Sequence, residues 1–578
     1  MPSGSNPKSA AVDGVIGWVL FLRAFWRMAG GPWRSRQRWS AIVLASGLVL
    51  LTAMQVGVAI ALNIWNLRFF DAVEQKALDR FFTLIGVFAL IILANVAITI
   101  SHLQVKRRIQ VNWRRWLTRR LMRNWMTGGR HYTLGFAPGR HDNPDGRIAE
   151  DIRIATEYAI DIGHSGLYST MLLITFVNIL WSLSGTLDIA VFDTRVVIPG
   201  YLVLVALVYT AAGAWIALLL GRPMTQAATR RQASEADFRF GLARARTHSL
   251  GIALMRGEPD ERRRFLRLFH RAYRAWDVQT SALRRFFYYM ATWPLLNQIF
   301  PILVAAPRFI TGSITLGVMM QTAQAFGQVV AALSWPIDNL AKASEWRASA
   351  ERVMQMQDAL AGLHRDGESA GHIGISTGTV KKLEFRGLVL TDADSKPLTA
   401  PIDLTILPGE RVMIDGDPAL TGHLFHAAAG LWPWGYGRIT RPVGAAVHFM
   451  PERPYIPVGS LHDALCYPAA KNTYGILGIV GALTRAGLAS QADHLEDSAI
   501  WDQTLSLADQ QRLGFARLLL VKPEWVVLHD ATTALAAETE LDMMNLIREA
   551  CPEAAIVIIG TRPALNAGCD RVISLKGA

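Results

Sequence analysis

Two stretches in the last third of this 578-residue chain carry residue types that could handle a phosphorylated ligand. The first reads Gly416-Asp417-Pro418-Ala419-Leu420-Thr421-Gly422-His423-Leu424. A phosphate-binding loop needs glycines that let backbone amides converge, a Lys against the β/γ charge, and a hydroxyl for Mg²⁺. Gly416, Thr421, Gly422 and His423 fall at such a loop, yet no Lys lies between Arg411 and Arg438. Pro418 removes an amide donor, Ala419 and Leu420 crowd the cradle, and Asp417 adds charge of the wrong sign. The second stretch runs from Leu505 to Leu535. Ser506 is placed to cap a helix whose free first-turn amides would attract an anion. Beyond Lys522-Pro523, Trp525-Val526-Val527-Leu528 reads as a buried parallel strand. Its tip, His529-Asp530, falls where α/β sheets put nucleotide chemistry.

The elements that must hold these residues follow from composition. Half the residues are hydrophobic (51%), only 18% are charged, and the mean hydropathy is positive, the balance of a chain half in membrane. Six stretches approach the ~20 apolar residues a bilayer demands: Ala41–Trp65, Phe81–Leu103, Ser165–Leu183, Val196–Leu220, Phe287–Ile310 and Leu316–Leu340. Gln104 to Arg130 holds nine Lys/Arg and no acid, and Gly221 to Arg285 is likewise rich in Arg. The positive-inside rule makes both cytoplasmic, with both termini on that side. Basic residues between apolar spans account for the net charge of +13, against anionic lipid and not nucleic acid. The run from Val15, with Trp18, Phe25, Trp26 and Trp33, reads as an interfacial helix and not a cleavable signal. Cys466, Cys551 and Cys569 sit at no metal-ligand spacing and read as free cytosolic thiols; no metal site is expected. The expected division is 1–40 interfacial, 41–345 six-span, 346–378 linker, and 379–578 an α/β domain with a small antiparallel lobe.

The second stretch resembles the signature helix, Walker B strand and D-loop of an ATP-binding-cassette (ABC) ATPase. Gly430-Leu431-Trp432-Pro433-Trp434-Gly435 and Phe449-Met450-Pro451-Glu452-Arg453-Pro454-Tyr455 are similar to one branch, the SbmA/BacA-like and YddA-like transporters. The resemblance implies a six-helix ABC transmembrane domain followed by an α/β nucleotide-binding-like domain, in a bacterial inner membrane. It extends to Trp113–Thr118, Asp142–Asp151, Glu235–Phe240 and Ser334-Trp335, and implies that Tyr132 to Asp151 is a hairpin tip that touches the cassette. Against the family's LSxGEQQR and LDEATSALD, the signature reads Ser506, Ala508, Asp509, Gln510, and the Walker B pair is His529-Asp530. The Q-loop Gln appears as Glu452, the switch His as Thr561, and the phosphate loop is one residue short. The resemblance therefore implies catalytic positions at Asp530, Thr561 and Glu452 whose chemistry is altered. ATP and Mg²⁺ are expected only at a composite site completed by a competent partner.

An ion gradient is then the substitute motor, and the resemblance implies proton-coupled import of peptides or other bulky hydrophilic solutes. Ionisable residues facing a membrane cavity would carry the ion. Glu157, Asp161 and His164, at i, i+4 and i+7 on one helix face, are the candidates, since a His beside carboxylates titrates near neutrality. The alternative pairs Arg153 with Glu157 and leaves the stripe in cytosol; Asp71, Glu74 and Asp338 are further candidates. A six-helix unit needs a second half-transporter, identical or not. Three functions follow: an ion-driven transporter, the non-catalytic half of an ATP-driven heterodimer, and a membrane scaffold.

Overall fold

The computed structural model describes residues 7–34, 38–136, 143–191, 194–366, 373–445, 447–566 and 568–578. They form two compact units, one of residues up to Arg120 with Asp145–Met354, the other of Leu121–Pro144 with Gln355–Ala578.

The first unit is helical. An N-terminal helix α1 (Pro7–Ala29) buries Phe21, Phe25, Met28 and Ala29 and leaves Trp26 exposed. Among the described residues, six helices long and apolar enough to cross a membrane follow, the last running on from α7 into α8. They include α2 (Arg38–Glu74), α3 (Leu78–Trp125), α4 (Ile152–Ser184), α5 (Tyr201–Thr247), α6 (Glu258–Ile310) and α7 (Leu316–Asp338). Helix α8 (Leu340–Asp366) follows, and with Gly374–Thr377 as a strand, most of the described residues expected as linker are regular structure.

The fourth span starts later than expected. Thr186–Val191 (β1) and Thr194–Pro199 (β2) pair as an antiparallel hairpin, and helix begins only at Tyr201 after Gly200 at φ 68°. The Val-Val-Ile run before Pro199 is β-branched and better suited to a strand, so apolarity alone misplaced the boundary.

Helix α7 is fastened to α2 by polar contacts that satisfy the free amides of its first turn. Asp71 accepts from the Gly317 amide at 3.1 Å and Glu74 from the Leu316 amide at 2.9 Å. These two carboxylates, candidates for ion transport by sequence, hold a helix N-terminus, a stabilising place for negative charge. Gly317 is required there: a Cβ would lie 2.2 Å from the Leu67 carbonyl oxygen. One turn deeper, buried Asn63 donates to the Gln321 carbonyl and to the Gln324 side chain, both at 3.1 Å. Asp338 is the last residue of α7.

The second unit is an α/β fold. Five parallel strands run in the order β11-β6-β10-β9-β8, where β6 is Arg411–Asp415, β8 Val447–Met450, β9 Trp525–His529, β10 Ala555–Ile559 and β11 Arg571–Ser574. Strand β9 is buried on both faces, which is why its sequence is a continuous apolar run. A second sheet orders β3 (Gly374–Thr377), β7 (Gly435–Arg441), β4 (Leu383–Leu390) and β5 (Ile402–Ile406), antiparallel except between β3 and β7.

The described residues 121–136 belong to this unit, and aromatic rings tie them there. Phe136 meets Trp432 and Trp434 with centroids 5.8 and 5.1 Å away, and Tyr132 meets His426 at 5.7 Å. The tryptophans of the Gly430–Gly435 run are thus packing residues. Asp142, read as a turn residue, lies outside the described residues.

Candidate phosphate loop and polar helix cluster

Strand β6 ends at Asp415, whose carboxylate accepts the Gly416 amide at 2.9 Å. Helix α9 (Pro418–Ala428) starts at once, with Pro418 at its first position. Asp417 is the N-cap, its carboxylate accepting from the Ala419 amide at 2.8 Å. An Asp there stabilises a helix by ~1 kcal/mol, and it sets a negative charge where a phosphate would sit. Thr421, fully buried, donates its hydroxyl back to the carbonyls of Asp417 (3.2 Å) and Pro418 (3.1 Å). The hydroxyl that could imitate a Mg²⁺ ligand, though in the wrong register, is fully buried and turned back into its own helix.

Facing this helix, His529 stacks on Phe425 with centroids 5.0 Å apart, and its Nε2 lies 3.7 Å from an Asp530 oxygen. Gly422 lies against that same ring, close enough that a Cβ there would touch its Nε2 at 3.7 Å, an ordinary packing distance. His423 lies over Trp432 at 4.0 Å. Burial lowers the pKa of His423; it lowers that of His426 too, with His529 and His423 adding repulsion; and it lowers that of His529 against the opposing pull of Asp530 and Glu452. The loop is lined by neutral imidazoles and aromatic faces. Among the described residues no group of three or more His, Cys, Asp or Glu could hold a metal ion.

These imidazoles imply a pH dependence. Their folded pKa values lie below the ordinary 6.5, so the unfolded chain binds more protons below that pH. Their contribution to stability is complete above pH 6.5 and is lost as pH falls from there towards the depressed values. The thermal transition of the second unit, followed in the full chain, is expected to move down between pH 7 and 5. His529→Phe, which keeps the stack on Phe425, is expected to flatten that slope.

Helix α10 (Leu507–Val521) is set by Ser506, whose hydroxyl accepts the Asp509 amide at 3.1 Å and donates to the Asp509 carboxylate at 2.7 Å, and it ends at Lys522 in the left-handed conformation before Pro523. Ala508 packs against the core cluster that includes Met450 and Phe515. Gln510 donates to the carbonyls of Asp502 (2.8 Å) and Leu505 (3.0 Å), holding the turn that leads into the helix. The next residue, Gln511, is fully buried and makes the long-range link: it donates to the Glu452 carbonyl and Thr533 hydroxyl, both at 3.0 Å, and accepts the Ala534 amide at 3.0 Å. The Glu452 carboxylate reaches the Thr533 hydroxyl only at 3.4 Å. Asp530 has φ 49° and gives its amide to Ile559, and its carboxylate occupies the space where Gly560 lacks a Cβ. Thr561 follows, exposed.

Two groups here went unnoticed in the sequence. Buried Glu540 accepts from the Thr532 hydroxyl and lies 3.8 Å from Arg562. Arg517 enters the core to donate to the carbonyls of Ala464 (2.8 Å) and Tyr455 (2.7 Å), and burial draws its pKa down to about 10. A single Arg inside the apolar Phe515–Leu520 run was the available signal.

In the helical unit the three-residue stripe separates into different environments. Asp161 sits between Lys342 (2.6 Å) and Lys106 (3.3 Å) and also accepts from Gln110 at 2.8 Å. Glu157 pairs with Arg153 at 3.3 Å. His164 faces another imidazole and not a carboxylate, its ring centroid 4.1 Å from that of His102, and both Nε2 atoms are buried without partners. Lys106, Gln110, Lys342 and His102 come from other helices, so no local spacing announced them.

Residues 27–310 match the family of ABC transporter transmembrane region 2. Over 582 residues the chain is 28% identical to the uncharacterized ABC transporter ATP-binding protein sll0182 of Synechocystis, covering 96% of this chain and 85% of that one. It is 26% identical to the inner membrane ABC transporter ATP-binding protein YddA of Escherichia coli, covering 95% of each. The human lysosomal cobalamin transporter ABCD4 is 23% identical, over 92% of this chain and 91% of its own. A bacterial Atm1-family ABC exporter solved with ATP bound shares the fold, with a TM-score of 0.62 at 15% identity over 92% of this chain and 93% of its own. Six membrane-length helices among the described residues, a transmembrane region matching that of ABC transporters over residues 27–310 and relatives aligned along almost the whole chain make this a multi-pass membrane protein similar to the ABC transporters.

Proposed function

We propose that the protein is a half-transporter of the SbmA/BacA-like group that moves peptides or other bulky hydrophilic solutes across a bacterial inner membrane. It works as a dimer, has both termini in the cytoplasm, and is driven by an ion gradient and not by its own phosphate loop. The observation that carries this reading is the Asp417 cap on α9 together with the inward-turned Thr421 hydroxyl. A triphosphate at that helix end would meet a carboxylate in place of free amides, with no Lys to offset its charge. With His529 where a Mg²⁺-holding carboxylate is wanted, the residues present do not fit Mg²⁺-ATP. Peptide as cargo rests on the sequence resemblance alone.

Purified protein in proteoliposomes is expected to accumulate a labelled peptide under an imposed proton gradient. A protonophore should abolish uptake, and ATP withdrawal should leave it unchanged. Uptake that follows ATP and ignores the gradient would overturn the reading.

A second reading makes this the non-catalytic half of a heterodimer, where Ser506 and the N-terminus of α10 complete an ATP site on a competent partner's loop. The formed helix start at Ser506 favours it, as do relatives named ATP-binding proteins. It predicts ATP-dependent uptake only when a half-transporter with an intact loop is supplied.

A further inference from the structure

The helical unit holds a cavity of about 580 Å³ lined by residues of α1, α2, α3 and α4 and by Trp346 of α8. It falls in the ~300–1,000 Å³ range of ligand sites. Its wall is almost wholly apolar side chain, including Leu22, Phe25, Leu44, Trp113 and Ile160. The polar side chains in that wall are few: Ser40, Asn112, Thr52, which already donates to Leu48 at 2.7 Å within its own helix, and the isolated ring nitrogens of His164 and the tryptophans, among which those of His164 and Trp113 are buried without partners. Water filling such a space would lack the 2–4 hydrogen-bond partners each molecule needs. A bulky hydrophilic solute would lose its hydration for nothing in return. The occupant that matches the wall is a hydrocarbon chain.

Where the chain would be anchored follows from what surrounds the cavity. Helix α1 seals one side by setting Phe25 edge-to-face against Trp346 and Trp113, with ring centroids 4.8 and 5.9 Å away. Trp26, which lines the cavity, and Trp39 beside it are both about two-thirds exposed, as tryptophans at a lipid headgroup boundary are. Exposed arginines lie next in sequence to, or one turn from, the lining residues: Arg23 and Arg27 on α1, Arg108 and Arg115 on α3. Among the described residues none of these four forms an ion pair. Unpaired cations around an apolar slot complement an anionic headgroup with its tail inside.

We propose that this cavity is a resident-lipid site that takes one acyl chain of an anionic phospholipid, with its headgroup held by Arg23 and Arg27. The leaflet concerned, the cytoplasmic one, rests on the orientation proposed above. The lipid is a structural ligand and not the transported solute.

Gly163 supplies the test. It lines the cavity on α4, and a Cβ there would meet nothing within 4 Å. Gly163→Leu therefore extends into the cavity without a backbone clash, while a helix interior favours Leu over Gly. The full-length protein is extracted from vesicles of equal phosphatidylglycerol and phosphatidylethanolamine and weighed by native mass spectrometry. The wild type is expected to retain phosphatidylglycerol, and Gly163→Leu to lose on the order of tenfold of it, since displacing several methylenes costs well over 1.4 kcal/mol. R23Q/R27Q is expected to keep a lipid but no longer prefer the anionic one. Equal retention by wild type and Gly163→Leu, or no retained lipid in the wild type, would sink the proposal. Headgroup indifference in the wild type would remove the arginine anchor. The readout needs neither transport nor ATP, so a failure of the ion-driven reading leaves it intact.

Discussion

ATP turnover by the purified chain in a lipid bilayer should sit at background, and Asp530→Asn should leave it there. Removing one preorganised donor from a catalytic site costs ~10²–10³ in rate, and this loop differs at several such places at once. Their effects do not add, but the first two suffice: no Lys between Arg411 and Arg438 and an imidazole at the Mg²⁺-binding position leave a triphosphate without an electrostatic anchor. The Asp417 carboxylate then works against binding, because two unit charges ~4 Å apart at an effective dielectric near 20 repel by ~4 kcal/mol. Phosphate release measured beside an ATPase-competent half-transporter in the same bilayer checks the expectation; a difference of at least ~10³ is anticipated. Asp417→Ala separates the contributions. It frees the first amides of α9, so weak nucleotide binding should appear by fluorescence titration while turnover stays absent. Brisk hydrolysis by the wild type, lost on Asp530→Asn, would instead make this an ordinary ATP-driven pump.

How much of this was legible depends on the range of the interaction involved. The order of the second unit could be read because its signals are local. Ser506 with Asp509 makes a helix start, Lys522-Pro523 an end, and Trp525–Leu528 a strand with no polar face. The proposal that the phosphate loop does not suit a triphosphate starts from residue type, Pro418 and the missing Lys, and so could be made from sequence. That Asp417 itself takes the amide at the helix start requires geometry. The fourth span began too early because hydropathy does not distinguish a β-branched strand from a helix across Val196–Ile198. Tyr132 and Phe136 were placed at a hairpin tip, but their attachment to Trp432, Trp434 and His426 spans some three hundred residues of sequence. The same holds for Gln511, whose neighbours Glu452 and Thr533 lie on other elements.

Asp161 is where the largest loss of transport is expected. Of the three residues on its stripe it alone lies between two ammonium groups contributed by other helices, Lys106 and Lys342. Protonating or removing that carboxylate leaves two like charges facing each other, a change that the surrounding helices must answer by moving apart or releasing a proton. Asp161→Asn should cut gradient-driven uptake on the order of 10²-fold, the scale of losing a proton-transfer group. It should also lower stability by ~2 kcal/mol, between the values for exposed and buried pairs, since these side chains are partly exposed. The two effects separate in the double variant Asp161→Asn/Lys342→Gln. Removing the stranded cation should return the thermal transition most of the way to wild type, whereas uptake should stay lost if the carboxylate is the ion carrier. Recovery of uptake in the double variant would reduce Asp161 to a fastener between helices. Glu157→Gln is the contrasting case. Its partner Arg153 lies one turn away on the same helix, a pairing worth ~0.3–0.5 kcal/mol, so uptake and stability should both stay close to wild type.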